Sequence, residues 1–182
     1  MRREAERRGR AAQLSERESR PLWAPWRVEY IERARGEQQC IFCEPEAPRS
    51  DRERLIVHRG RSAFVLLNRY PYSAGHLMVA PYAHQSRIGA LEPETQGELM
   101  DLLGRSTRIL EATYNCDGLN VGANLGAAAG AGFADHLHFH LVPRWRGDVN
   151  FMTSVGEIRV IPTHIERIFD ELAPRFAAEE RR

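Results

Sequence analysis

Seven consecutive residues constrain this chain most: His136-Leu137-His138-Phe139-His140-Leu141-Val142. Successive side chains of a β-strand point to opposite faces. The run therefore predicts a strand with His136, His138 and His140 on one face and Leu137, Phe139 and Leu141 on the other. A row of imidazoles on an apolar backing suits metal binding, nucleophilic catalysis or phosphate recognition, because neutral imidazole is a common ligand and titrates near neutral pH. The competing reading is a surface strand that happens to hold histidines. Against it stands the strict period of two in three of the seven histidines, followed directly by Pro143-Arg144-Trp145.

The 182 residues leave room for one well-cored domain with tails. Lys and Arg number 26 against 25 Asp and Glu, a formal charge of +1. No global field draws in a nucleic acid polymer or an anionic membrane, so any affinity for anions must be local. No apolar run approaches the length of a membrane span, and the charged start Met1-Arg2-Arg3-Glu4 has no apolar stretch behind it. The expectation is a soluble, cytoplasmic protein. Two of the three cysteines stand as Cys40-Ile41-Phe42-Cys43, which in a reducing compartment reads as a metal or redox pair, or as buried thiols without a metal.

Residues 1–20 are rich in Arg, Glu, Ser and Ala without an apolar face, and read as a mobile charged tail. A single domain is expected over 21–182, starting with the packing anchors of Leu22-Trp23-Ala24-Pro25-Trp26. Leu55-Ile56-Val57 and Ala63-Phe64-Val65-Leu66-Leu67, separated by Gly60, predict an antiparallel hairpin. Asn68 to Gly75 is turn chemistry, and Leu77-Met78-Val79-Ala80 the next strand. Leu99, Leu102, Leu103, Ile109 and Leu110 recur at helical spacing behind the acidic, proline-containing Glu92-Pro93-Glu94 and stop at Asn115 and Gly118. The stretch from Gly122 to Gly132 is crowded with Gly and Ala: either a flexible linker, or a loop whose backbone N–H groups approach a phosphate beside the imidazole row. The fold class read from these elements is α+β. A mostly antiparallel sheet of about five strands carries one long helix near 92–114 and a closing helix from about Thr163.

The alternating run also resembles the H-φ-H-φ-H-φ-φ signature of the histidine triad superfamily, whose members are nucleotide hydrolases and nucleotidyl transferases. Leu67-Asn68-Arg69-Tyr70-Pro71 with Ala74 to Pro81 resembles that family's first nucleotide-binding hairpin, and Asn120 to Gly126 its second, so the resemblance covers roughly residues 40–150. Pro143-Arg144-Trp145, Gly147 to Met152 and Leu22 to Arg27 are similar to the bacterial branch that includes diadenosine tetraphosphate phosphorylases.

The resemblance implies that His138 attacks the α-phosphorus and carries a nucleoside monophosphate, with His140 holding phosphate oxygens. A neutral imidazole suits this chemistry, since it attacks phosphorus without first losing a proton. Asn68 resembles the family's ribose ligand, and Asn124 a residue that contacts phosphate or orients the nucleophile. His76 either supports the site or is an ordinary structural histidine of the turn. One departure is visible: some relatives carry glutamine four residues before the first triad histidine, where this chain has Gly132. Backbone N–H groups, Asp135 or Trp145 are candidates to compensate, although Asp135 also fits a solvent-facing turn.

Cys40 and Cys43 supply two thiol ligands, and His84 and His136 occupy positions that resemble the zinc ligands of zinc-bearing bacterial members. Four protein ligands leave no open position, so the implied zinc is structural. Cys116, His58 and His164 read as ordinary structure. The resemblance further implies a homodimer acting on dinucleoside polyphosphates. A hydrolase of purine nucleoside phosphoramidates or dinucleoside polyphosphates is the nearest alternative, and a non-catalytic nucleotide-binding module a more distant one.

Overall fold

The structure, a computed structural model, describes residues 40–45, 47, 49–148 and 163–179. The tail, the Leu22 to Arg27 segment and Val149 to Met152 lie outside the described residues. Helix α1 (Asp51–Arg54) is a single turn started by a reciprocal cap, in which the Ser50 hydroxyl meets the Glu53 N–H and the Glu53 carboxylate meets the Ser50 N–H. Strands β1 (Ile56–Arg59) and β2 (Ala63–Leu67) follow as the expected hairpin, then β3 (Leu77–Pro81), helix α2 (Pro93–Tyr114), β4 (Gly118–Ala123), β5 (Phe139–Arg144) and helix α3 (Ile165–Glu179).

The five strands form one antiparallel sheet in the order β1-β2-β3-β5-β4. Every residue of β2 and β3 is buried, because both faces of the sheet are covered. Val65, Leu67, Leu77 and Val79 join the larger core under α2 and α3, to which the helices contribute Leu99, Leu110, Ile168 and Phe176. Phe64, Leu66, Met78 and Ala80 point the other way and form a smaller cluster with Phe42. The period-two alternation of these strands is thus resolved into two apolar layers.

Helix α2 ends where the sequence predicts, at Asn115, which takes the left-handed conformation (φ 45°, ψ 46°) and closes the helix through the Glu111 carbonyl. Glu98 on α2 accepts from the backbone N–H groups of Arg61 and Ser62, at 2.7 Å each, and from the Ser62 hydroxyl. It clamps the β1–β2 turn to the helix.

One expectation needs correcting. The triad run was expected to be strand from His136, but β5 starts only at Phe139, and the last ladder pair with β3 is Val79 with Phe139. Two residues further along β3 stands Pro81, which has no N–H to donate, so the ladder ends. The Leu137 N–H goes instead to the Gln85 carbonyl at 2.6 Å. His136 and His138 lie in irregular chain just before the strand. The alternation survives nonetheless: Leu137 and Leu141 are buried in the larger core with Phe139 packed against it, and the imidazoles occupy the opposite side.

Candidate functional site

Three histidine rings form a connected row. His138 meets His140 edge-on at 5.0 Å between centroids, and His140 lies 5.2 Å from His76. His138 and His76 are buried, at 5% and 0% exposure.

The protons in this row follow from the backbone. The Tyr72 N–H can only donate, and it meets His76 Nδ1 at 3.1 Å, so Nδ1 accepts and the His76 proton sits on Nε2. That Nε2–H donates to His140 Nδ1 at 3.0 Å, which in turn puts the proton of neutral His140 on its Nε2. His138 is set the opposite way. Its Nδ1–H donates to the His136 carbonyl at 2.8 Å, leaving the lone pair on Nε2. Burial pushes the His138 imidazole below its ordinary pKa, against the pull of that backbone bond, so it stays neutral. Burial, with His140 and His138 beside it, pushes His76 down to about 3.

The turn that holds His76 depends on Gly75, whose φ is +77°; a Cβ there would come within 2.7 Å of the Tyr114 ring. The same turn is tied to β5 by the Ser73 hydroxyl, which donates to the Pro143 carbonyl at 2.9 Å. His76 is therefore fixed by its turn and hydrogen-bonded to His140.

His138 and His140, but not His76, border a cavity of about 440 Å³, within the usual range of small-molecule sites. Of the expected residues, Asn68, Asn124, Gly132, His138 and His140 line it. Asn68 is braced by its own turn, accepting from the Tyr70 N–H at 2.9 Å. Asn124 reaches the Gly130 carbonyl at 3.4 Å, closing the small-residue loop in which Gly126 and Gly130 both take φ of +85°. Trp145 does not face the cavity; its indole N–H donates to the Tyr114 carbonyl at 3.3 Å. Asp135 is exposed and also stands off the cavity wall.

Sequence reasoning passed over two participants. Phe42, buried between the two cysteines, stacks on His138, and Tyr72 supplies the N–H that orients His76. An aromatic inside a C-x-x-C was the available signal for the first. The second acts through its backbone, which carries no residue-type signal.

Cys40, Cys43, His84 and His136 converge, their ligand atoms all within 4.8 Å of one another. Cys40 Sγ lies 3.3 Å from His136 Nδ1, Cys43 Sγ 3.2 Å from His84 Nδ1 and 3.7 Å from His136 Nδ1, and the two Nδ1 atoms are 3.3 Å apart. A tetrahedral ion with zinc-like bond lengths requires S···N edges of about 3.6 Å and N···N edges of about 3.3 Å. The donor set fits. His136 Nε2–H donates to the Pro81 carbonyl at 2.9 Å, which turns the Nδ1 lone pair toward the cluster. The residue that ends the strand ladder thus fixes a ligand's tautomer through its carbonyl. Burial and the neighbouring Cys40 raise the Cys43 thiol, a cost that a bound cation removes.

The HIT domain family matches residues 49–147, and the chain belongs to it. It is a nucleotidyl transferase or hydrolase of that family. Over 148 residues, 78% of this chain and 76% of the relative, it is 41% identical to the AP-4-A phosphorylase of Mycobacterium tuberculosis. Over 136 residues, 75% of this chain and 97% of the relative, it is 24% identical to the adenosine 5'-monophosphoramidase of Schizosaccharomyces pombe. The fold is shared with a Zn-bound histidine triad family protein from Mycobacterium smegmatis, at a TM-score of 0.57 and 22% identity over 84% of this chain and 95% of that one.

Proposed function

We propose that the protein is a dinucleoside polyphosphate phosphorylase, splitting diadenosine tetraphosphate with inorganic phosphate into ADP and ATP. In the first step His138 Nε2 bonds to an α-phosphorus and the bond to the bridging oxygen breaks, releasing ATP and leaving AMP on the imidazole. In the second, a phosphate oxygen attacks that phosphorus, the P–N bond breaks and ADP leaves with the lone pair restored to Nε2. The observation that carries the reading is the His138 Nδ1–H donated to the His136 carbonyl, because it presents an unprotonated Nε2 to the cavity wall.

His140 Nε2–H, held in that tautomer by His76, supports a donor role toward the phosphate oxygens, where charge builds in the transition state. Asn68 supports a ribose contact. Gly132 offers no side chain at the wall, so the group that attacks the intermediate meets backbone rather than an amide. The phosphorylase form is supported by the relative at 41% identity, and a phosphoramidate hydrolase by the relative at 24%.

We also propose one structural zinc on Cys40, Cys43, His84 and His136, with no position open to water. A cytoplasmic homodimer joined through α2 and the sheet edge completes the reading. Incubation of the protein with diadenosine tetraphosphate, with and without phosphate, tests the activity. Turnover that requires phosphate and yields ADP plus ATP is expected. Equal turnover in water would make it a hydrolase, and binding without turnover would make it a nucleotide-binding module.

A further inference from the structure

The ring of Phe42 stacks on the imidazole of His138 at 4.7 Å and 24°. It lies 5.1 Å from His136 and edge-on to Phe133 at 5.9 Å, and is only 2% exposed. This contact matters because the hydrogen bond at His138 Nδ1 fixes one atom and leaves the ring able to tilt about it. The plane of the ring, and with it the direction of the Nε2 lone pair, is set by what packs on its face.

Phe42 is held from outside the cysteine and histidine cluster. Arg54, the last residue of α1, turns its guanidinium toward the knuckle. Its Nη2 donates to the carbonyls of Cys43 at 3.0 Å and Phe42 at 3.4 Å, while Nη1 pairs with Glu44 at 2.6 Å. One planar fork therefore grips three consecutive residues, a geometry that an ammonium cannot reproduce. The Arg54 side chain is 8% exposed, and burying a cation this far is costly unless its donors are used. Ligand atoms at Sγ hold the two cysteine side chains, and the Cys43 N–H donates to the Cys40 carbonyl at 3.2 Å. Arg54 adds a hold on the Phe42 carbonyl, between the cysteines, and on the Cys43 carbonyl just past them.

We propose that Arg54 is a positioning residue that sets the ring plane of His138 through Phe42, by holding the backbone of the cysteine knuckle rather than its ligand atoms. The proposal rests on His138 being the nucleophile.

The test compares Arg54→Met, Arg54→Lys, Phe42→Leu and the Arg54→Met/Phe42→Leu double variant. Each is measured by kinetics with diadenosine tetraphosphate and phosphate, by metal content, and by the NMR shifts of the His138 ring protons, which lie in the ring current of Phe42. Arg54→Met should move the His138 resonances and lower kcat by about tenfold to a hundredfold, the scale of an ångström-sized misplacement. KM and metal content should stay within about twofold. Phe42→Leu should lower kcat similarly, and the double variant should be no worse than Phe42→Leu alone, as coupling through one contact requires. Arg54→Lys should fall between wild type and Arg54→Met; if Arg54→Met does not fold, Arg54→Lys carries the same comparison.

Unmoved His138 resonances, additive losses in kcat, or a raised KM at unchanged kcat would overturn the proposal. The last outcome would make Arg54 a substrate contact. Absence of turnover in the wild-type protein would instead count against the nucleophile reading, and the NMR comparison would still decide whether Arg54 orients the ring.

Discussion

At the scale of single residues, the site is a problem of where protons sit. Two backbone groups and one side chain settle it: a Tyr72 N–H orients His76, the His76 ring orients His140, and the His136 carbonyl orients His138. His138→Ala should leave fold and nucleotide affinity near wild type, because the ring makes no ladder hydrogen bond, while turnover falls by several orders of magnitude, about 10⁴ or more. Isothermal titration and steady-state assays on one preparation separate the two effects. His76 makes a different prediction. Burial, with His140 and His138 beside it, pushes the folded His76 down to about 3 from its ordinary 6.5. Between those values the unfolded chain binds a proton that the folded state refuses. Stability is therefore complete above about pH 6.5 and falls as the pH drops toward 3. Urea midpoints across that window should decline for wild type and less steeply for His76→Gln. Equal slopes would show that His76 is not the group titrating.

At the scale of elements, short segments do the positioning that regular structure does not. The Cys40 to Cys43 knuckle, the Gly75 turn and the His136 to His138 chain all lie outside helices and strands, and each is anchored to a strand end or to α1. Purified without chelator, the protein should carry about one zinc per chain, with metal–sulfur distances of about 2.3 Å by X-ray absorption. Cys40→Ser should lower both the melting temperature and activity, since it loosens the segment on which His138 is mounted. His138→Ala should leave zinc content and melting temperature nearly unchanged. Protein prepared this way without zinc would return Cys40 and Cys43 to the status of ordinary thiols.

At the scale of the whole molecule, the sheet divides labour between its faces. One face is given over to α2 and α3 and carries most of the core; the other bears the smaller Phe42 cluster and the site. Helix α3 is tied to α1 by Arg52, which meets the Asp170 carboxylate at 2.5 Å and Glu166 at 3.3 Å. The sheet's β4 edge is exposed, with Val121 at 47%. Among the described residues no strand pairs with that edge, and such edges favour pairing with another chain. The proposed homodimer predicts a sedimentation mass of twice 20.8 kDa, and Val121→Lys on the edge should shift it toward the monomer. A monomeric mass for the wild-type protein at micromolar concentration would remove the dimer.

Much of this protein can be read from residue order because its determinants are local. Hydrophobic period assigned β1, β2, β3 and α2, Asn115 marked the helix end, and the alternation His136 to Leu141 sorted imidazoles from apolar side chains even where the ladder fails. The cysteine and histidine set was also legible, though through resemblance rather than spacing, since His84 and His136 lie 41 and 93 residues from Cys43. Tertiary structure decided the rest. Strand order places β5 between β3 and β4, and that neighbour relation brings Pro81 opposite the triad segment. The consequences are a strand starting three residues late, a fixed His136 tautomer, and Trp145 turned to Tyr114 instead of the cavity. Phe42 over His138, and Arg54 beneath the knuckle, depend on contacts between segments 12 to 96 residues apart. Such contacts follow from how the layers close on one another, and no local pattern in the chain encodes them.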